Sequence, residues 1–394
     1  MLSQKTEEQL AQRLVNRIED VTTFILRTIG NNIKYISKLK LSKAREIRAL
    51  LLYNTDYIDT LKELSKVSAK NVEDIYKIFG IVAKENKKFA KQFYEYKGLE
   101  YVPYNKDKET QRLVNEIALQ SANDYLDIAN AYNIGFVQNG QFTQLEQVYQ
   151  NVVNEAIENI EQDYNKSMEK TIKELGSSGL VRNDNGKNTR LEAVIYANLL
   201  EGIREVNNQV DTKLGNEYGA DGYEISVHGN PAPDHADIQG RQFSKEEFEK
   251  LQEGLPAIDY EGEEVQIGHS KKGGYRPISE YNCYHKRYSV ILGASEPLNS
   301  NKELRRINRT NKDGFTIDGK HYTNYEGTQI QRKIETEIRK QKDTYILAKA
   351  SGNKAIMQEC EKRIKILKSK YNELVNVSGL EPKDWRMSVS GYRR

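Results

Sequence analysis

Apolar residues in the first half of the chain recur at every third or fourth position, with polar residues between them. This spacing places them along one face of an α-helix, so it predicts amphipathic helices. Six of the seven prolines follow residue 230, and because proline interrupts helix interiors, the first half can form long helices. The apolar stripes run through residues 10–29, 53–64, 75–82, 145–175 and 191–214, and the fourth predicts one long helix.

The pattern changes after Gly222. Tyr223, Ile225 and Val227 alternate with polar residues, which predicts a half-buried strand. Ser244 and Glu247 have the spacing of a helix-capping pair, and residues 288–292 predict a second strand. Short elements separated by glycine and proline indicate a small mixed domain.

The last hundred residues return to helical spacing. Asp318-Gly319 between two short apolar runs predicts a β-hairpin. Apolar stripes over 330–345 and 357–374, joined at Ser351-Gly-Asn353, predict a helical hairpin. The predicted fold is therefore α+β, with a long helical region at 1–180, a small α+β domain at 188–298 and a tail of a β-hairpin and a helical hairpin at 299–394.

Composition narrows the classes of protein that fit. Only 37% of the residues are apolar, 30% are charged, and the mean hydropathy is −0.77. No apolar run reaches the roughly 18 residues of a membrane span. The first residues lack the basic-then-apolar order of a secretory signal, so the protein is expected to be made and used in the cytosol. Two cysteines, Cys283 and Cys360, are too few for a disulfide framework.

Charge is distributed unevenly along the chain. Residues 299–394 contain 22 Lys and Arg against 12 Asp and Glu, a net charge of +10 in a chain whose total is +3. The remainder therefore carries −7. A basic tail on an acidic body predicts an anionic partner, either nucleic acid or an acidic protein surface. Since Lys and Glu are interspersed there, a solvated helical face explains the tail equally well.

Residues 228–285 hold the side chains that could carry chemistry. His228, His235, Cys283 and His285 could supply ligands to zinc, with Asp234 and Asp237 nearby in sequence. Their spacing lacks the close pairs of zinc motifs, so no cofactor is expected and zinc is the alternative. A metal-dependent nuclease or toxin-like effector using this cluster is the enzymatic alternative. The acidic cluster of a two-metal site and an identifiable orienting partner for Cys283 are missing from the sequence, so no enzyme is predicted.

A structural role explains the same residues more simply. Pro231 and Pro233 stiffen a loop, and its polar residues can hydrogen-bond the segment that ends at His285. The predicted residues of this structural polar loop are His228, Asp234, His235, Gln239, Asn282, Cys283 and His285.

Three segments together resemble a known family. They are His228 to Arg241 with its Pro-Asp-His-Ala loop and Gln-Gly step, Pro277 to His285 with its Asn-Cys-x-His end, and Gly293 to Pro297. The order is similar to that of the phage minor capsid protein 2 family, which is related to MuF-like head morphogenesis proteins. The resemblance extends over residues 190–380 and is loose over 1–189.

The resemblance implies a virion component, in low copy inside the capsid of a tailed bacteriophage. It implies association with the portal protein and other head proteins during head morphogenesis and DNA packaging, and sometimes release with the DNA. The basic C-terminal region would then lie against packaged phage DNA, and no membrane is involved. A coiled-coil adaptor unrelated to phage is a further alternative, but it leaves residues 228–297 unexplained.

Overall fold

A computed structural model describes residues 2–38, 43–159, 164–268, 275–278, 283 and 285–392, with the backbone alone over 43–52. In these ranges the chain is 65% helical, which confirms the predicted α+β class. The helices are α1 Gln4–Ile36, α2 Lys43–Lys97, α3 Lys108–Ile128, α4 Leu145–Glu158, α5 Tyr164–Ser178, α6 Leu191–Tyr218, α7 Lys245–Gln252, α8 Asn301–Asp313, α9 Asn324–Ser351 and α10 Lys354–Ser378. The strands are β1 Ile134–Gln138, β2 Gln141–Gln144, β3 Val181–Asp184, β4 Lys187–Arg190, β5 Gly222–Ile225, β6 Gln242–Ser244, β7 Ala257–Ile258, β8 Glu264–Val265, β9 Arg287–Val290, β10 Phe315–Ile317 and β11 Lys320–Tyr322.

Helix α1 lies at the centre of the helical body. Its side chains at Leu14, Ile18 and Ile25 are fully buried because α2, α6 and α9 pack around it. The approach to α9 is close: a Cβ at Gly30 would lie 2.5 Å from the Cβ of Ala350. Only glycine permits that contact, so the sequence has a residue of low helix propensity where the packing requires one.

The prediction of one helix over 145–175 is wrong, because two helices occupy this range. Helix α4 ends at Glu158, and α5 begins at Tyr164 and packs against α4. The carboxylate of Glu155 accepts hydrogen bonds from Ser167 and from Thr171, at 2.5 and 2.8 Å, across the two helices. The apolar stripe continues through both because both bury it in the same core, so periodicity alone did not reveal the break. Residues 160–163 lie outside the described residues.

A four-stranded antiparallel sheet in the N-terminal half was not predicted. Its strand order is β2-β1-β3-β4. Asn139-Gly140 and Asn185-Gly186 form its two hairpin turns, with positive φ at all four residues, as turns of this type require. The strands beside the second turn, Val181–Asp184 and Lys187–Arg190, are four residues each and almost entirely polar, so they lack the alternation that marks a strand.

The two hairpins predicted in the C-terminal region are confirmed. Strands β10 and β11 form the hairpin around Asp318-Gly319, and α9 and α10 form the helical hairpin, with Gly352 left-handed at the end of α9. The main core combines residues of α1–α6 with Tyr345, Leu347 and Cys360 from these last helices. The domain boundaries stay a prediction, while the apolar core is continuous between the first and the last hundred residues.

A small domain has its own core around the antiparallel sheet β6-β5-β9. Tyr223 pairs with Phe243 on one side and Ser289 on the other. The predicted first strand ends at Ile225 rather than at Val227, and Ser244 caps α7 by accepting from the backbone N–H of Glu247, as predicted.

Buried polar contacts attach the small domain to the helical body. Lys286, next to β9, pairs with Glu7 of α1 at 2.6 Å. Asp211 of α6 accepts from the backbone N–H and the hydroxyl of Ser289 at 2.8 and 2.6 Å. Among the residues described, none of the helices combines the length and the apolarity needed to cross a bilayer.

Candidate functional site

The loop between β5 and β6 carries most of the predicted site residues. It turns tightly after the prolines, and the backbone N–H of His235 donates to the carbonyl of Ala232 at 3.0 Å. Gly240 ends the loop with φ +73°, and a Cβ there would lie 2.3 Å from a methyl carbon of Leu304 in α8. Glycine is therefore required at this step, since any side chain would be strained and would collide with α8.

His235, Cys283 and His285 converge at one point beside the three-stranded sheet. The Nδ1 atoms of the two histidines lie 3.3 Å apart. The Sγ atom of Cys283 lies 3.4 Å from Nδ1 of His235 and 3.7 Å from Nδ1 of His285. Two nitrogens and one sulfur thus surround one small volume, with donor types that suit zinc.

The outer ring nitrogens face hydrogen-bond acceptors. Nε2 of His235 lies 2.6 Å from the carbonyl oxygen of Arg276, which can only accept, so the ring proton belongs on Nε2. Nε2 of His285 lies 3.5 Å from Oε1 of Gln239. The first contact places a proton on Nε2 and a lone pair on Nδ1 of His235, and the same tautomer of His285 directs its N–H at Gln239.

A chain of amides fixes the orientation of Gln239. Asn308 in α8 donates from Nδ2 to the carbonyl of Ala236 at 2.7 Å, so its Oδ1 faces Gln239 and accepts from Nε2 at 2.9 Å. Oε1 of Gln239 must then be the atom that accepts from the backbone N–H of His228, at 2.8 Å. The atom of Gln239 that lies beside His285 is therefore its amide oxygen, which can only accept a hydrogen bond.

Helix α8 was not predicted, and with it Asn308 and Asn311 were missed. Asn311 donates to the carbonyl of Pro231 at 3.1 Å, so α8 supports the loop at two points. Its sequence is too polar for an apolar stripe, but Ser300 and Glu303 have the spacing of a cap, and Ser300 does accept from the backbone N–H of Glu303. That pair was the sequence signal from which the start of α8 could have been predicted.

The other predicted residues surround the cluster. The ring of His228 packs edge-on against His285, with centroids 4.2 Å apart, and its Nδ1 lies 3.0 Å from Oε1 of Gln4 in α1. Asp234 pairs with Arg276 at 3.1 Å. Asn282 lies outside the described residues.

The three converging side chains are closed to solvent. His235 and Cys283 are 0% exposed and His285 is 3% exposed. Burial lowers the pKa of His235, and it lowers the pKa of His285 well below 6.5, with the neighbouring His228 adding to the effect. Both rings are therefore neutral, which is the form that binds metals.

A cleft of about 770 Å³ adjoins the cluster, between the small domain, α1, the start of α9 and residues 380–386. His228, Arg276 and His285 form part of one wall. The cationic residues that line the cleft are Lys5, Arg276, Arg332, Lys383 and Arg386. His285 therefore belongs to both the cluster and the wall of the cleft, whereas His235 and Cys283 do not line the cleft.

Part of the C-terminal positive charge is neutralised within the molecule. Lys383 pairs with Glu8 of α1 at 3.0 Å, and Arg339 of α9 pairs with Glu19 of α1 and, at 3.1 Å, with Glu192 of α6. The acidic partner that the charge asymmetry predicted is thus supplied in part by the chain's own helices.

The family model of the phage minor capsid protein 2 matches residues 3–376. The chain belongs to the phage minor capsid protein 2 family. This confirms the resemblance and extends it to the helical half, where the sequence motifs were loose. Comparisons with curated proteins and with solved structures found no match. As a member of this minor capsid family, the protein is a structural component of the phage virion and associates with other head proteins.

Proposed function

We propose that this minor capsid protein acts inside the phage head next to the portal, in head morphogenesis and in DNA packaging or ejection. The observation that carries this proposal is a basic face on α8. Lys302, Arg305, Arg306, Arg309 and Lys312 are all exposed and recur at helical spacing. The opposite face of the helix holds Leu304, Asn308 and Asn311 against the small domain.

Helix α10 adds a second basic surface. Glu359, one of its acidic residues, is engaged by Lys173 of α5 at 2.9 Å. The exposed cations of the helix are Lys354, Lys362, Arg363, Lys365, Lys368 and Lys370. Rows of exposed Lys and Arg bind the phosphate backbone without reading sequence, which suits contact with packaged DNA.

The DNA part is tested with the full-length protein and a duplex of arbitrary sequence. Fluorescence anisotropy across a salt series should show binding that weakens steeply with salt, with a slope of about −0.9 per phosphate contact. The double substitution Arg305→Gln and Arg309→Gln should flatten that slope by about 2. Lys62→Gln with Lys88→Gln on α2 removes two exposed cations elsewhere and should leave the slope unchanged. Absent or salt-insensitive binding would restrict the basic region to a protein partner.

The helical body supports contact with the portal or another head protein. Helix α3 exposes Leu119 and Leu126, which are 53% and 45% accessible and lie on one face two turns apart. Exposed apolar residues on one face mark protein contacts better than scattered ones do. Copurification with portal protein should therefore fall in Leu119→Asp with Leu126→Asp. Detection of the wild-type protein only in infected cytosol, and not in purified virions, would contradict the proposal.

We also propose that the protein has no enzymatic activity. The His–Cys cluster is too buried to reach a phosphodiester, which argues against the nuclease alternative. Nuclease assays with added divalent metals should show no cleavage by the wild type. Metal-dependent cleavage that His235→Ala or Cys283→Ala abolishes would overturn this part.

A further inference from the structure

We infer that His235, Cys283 and His285 bind a structural zinc ion. The first argument is distance. Tetrahedral zinc with bonds of about 2.05 Å to nitrogen and 2.3 Å to sulfur separates two nitrogens by about 3.3 Å and nitrogen from sulfur by about 3.5 Å. The corresponding distances here are 3.3 Å between the nitrogens and 3.4 and 3.7 Å from each nitrogen to sulfur.

The second argument is electronic. In the tautomers that donate to the carbonyl of Arg276 and face Oε1 of Gln239, both Nδ1 atoms carry lone pairs. Two lone pairs at this separation repel each other, and the single proton of the Cys283 thiol can serve only one of them. A single cation can be coordinated by both nitrogens and by the deprotonated sulfur of Cys283 together.

The third argument is the surrounding shell. Histidines that bind metals usually donate their other N–H to a carbonyl or carboxylate, which fixes the ring and its tautomer. His235 does so to the backbone of Arg276, and His285 faces the side chain of Gln239. Asn308 and the backbone of His228 hold Gln239 by hydrogen bonds, so α8 supports the site indirectly, through Gln239.

The place of the site in the fold indicates what the ion does. His235 comes from the loop after β5, and Cys283 and His285 come from the segment just before β9. Zinc would therefore join two segments about fifty residues apart beside a sheet of three short strands. The burial of all three ligands suits a structural ion rather than a catalytic one. Among the described residues three donors meet here, which leaves one position of a tetrahedral ion to a further ligand.

The test measures metal content in the full-length protein, purified without a histidine tag from zinc-supplemented medium. Mass spectrometry should find one zinc ion per chain. Cys283→Ser and His235→Asn should lose it. The matched controls are Cys360→Ser, the other buried cysteine, and His321→Gln, an exposed histidine on β11, and both should retain zinc.

Cobalt substitution gives a second measurement. The wild type loaded with Co²⁺ should show a sulfur-to-cobalt charge-transfer band and the strong visible bands of tetrahedral coordination. Cys360→Ser should show the same spectrum, and Cys283→Ser should lose the charge-transfer band.

If the variants of the proposed ligands fail to fold, zinc binding is tested on the wild-type protein alone. Chelation under native conditions should release zinc and lower the thermal midpoint, and added Zn²⁺, but not Mg²⁺, should restore it. A wild-type protein without stoichiometric zinc and without a cobalt–thiolate band would overturn the inference. Equal zinc loss from Cys360→Ser, or stoichiometric copper or iron in place of zinc, would overturn it as well.

Discussion

Arg190, the last residue of β4, pairs with Asp343 in the middle of α9 at 2.5 Å, although 153 residues separate them. Arg190 also pairs with Glu192, and Arg339 links Glu192 to Glu19 of α1. Asp343 is 2% exposed, so this network is buried between α1, α6 and α9.

Removing Asp343 should strongly destabilise the protein. Asp343→Ala leaves the guanidinium of Arg190 buried with one partner fewer, and breaking a buried pair in this way typically costs about 3–5 kcal/mol. Urea unfolding followed by circular dichroism measures the loss. Glu381→Ala breaks the exposed pair with Lys5 and should leave the unfolding midpoint unchanged. Equal midpoints for the two variants would show that the network contributes nothing.

Stability should fall as the pH rises through the titration of Asp211. Burial raises the pKa of this carboxyl from 3.8 to about 6, despite the hydrogen bonds from Ser289. The folded state therefore holds the proton more tightly than the unfolded state. Its contribution is fully present below about pH 4 and is lost as the pH rises past 6, a change on the order of 3 kcal/mol.

The amide variant isolates that contribution. Asp211→Asn can still accept from Ser289 but does not titrate, so the difference in unfolding free energy between wild type and variant should change between about pH 4 and pH 7. Denaturant unfolding at a series of pH values measures it. A difference that is flat across this range would contradict the assignment.

Gly240→Ala should destabilise the small domain. The substitution forces an L residue to φ +73° and places a methyl group against Leu304. Strain and overpacking together should cost about 2–4 kcal/mol. Gly229→Ala in the same loop meets open space at ordinary φ and is the control. Thermal unfolding of the two variants compares them, and an equal effect would show that the loop adjusts freely.

Asn308→Ala should loosen the loop after β5. The change removes the donor to Ala236 and the acceptor for Gln239, and unsatisfied buried partners cost about 1–3 kcal/mol each. Hydrogen exchange should then increase at the backbone N–H groups of His235 and Gly240. Arg305→Ala, on the exposed face of the same helix, should leave those rates unchanged.

The features that depend on neighbouring residues could be predicted from the sequence alone. Apolar spacing located α1, α2, α6, α9 and α10, turn chemistry located the hairpin at Asp318-Gly319, and the motifs between His228 and Pro297 identified the family. Each of these signals is carried by short stretches of consecutive residues, so a single sequence contains it.

Contacts between residues that are distant in the sequence could be seen only in the tertiary structure. It divided the 145–175 stripe into α4 and α5, since an apolar stripe does not record where the chain turns back on its own core. It paired Arg339 with Glu19 and so neutralised charge that the sequence assigned to an outside partner. It also brought His235 to within 3.4 Å of the sulfur of Cys283, 48 residues away, a contact that depends on β5, β9 and α8 packing together. Spacing along the chain could not reveal it, because the distance between these two side chains is set by the fold between them.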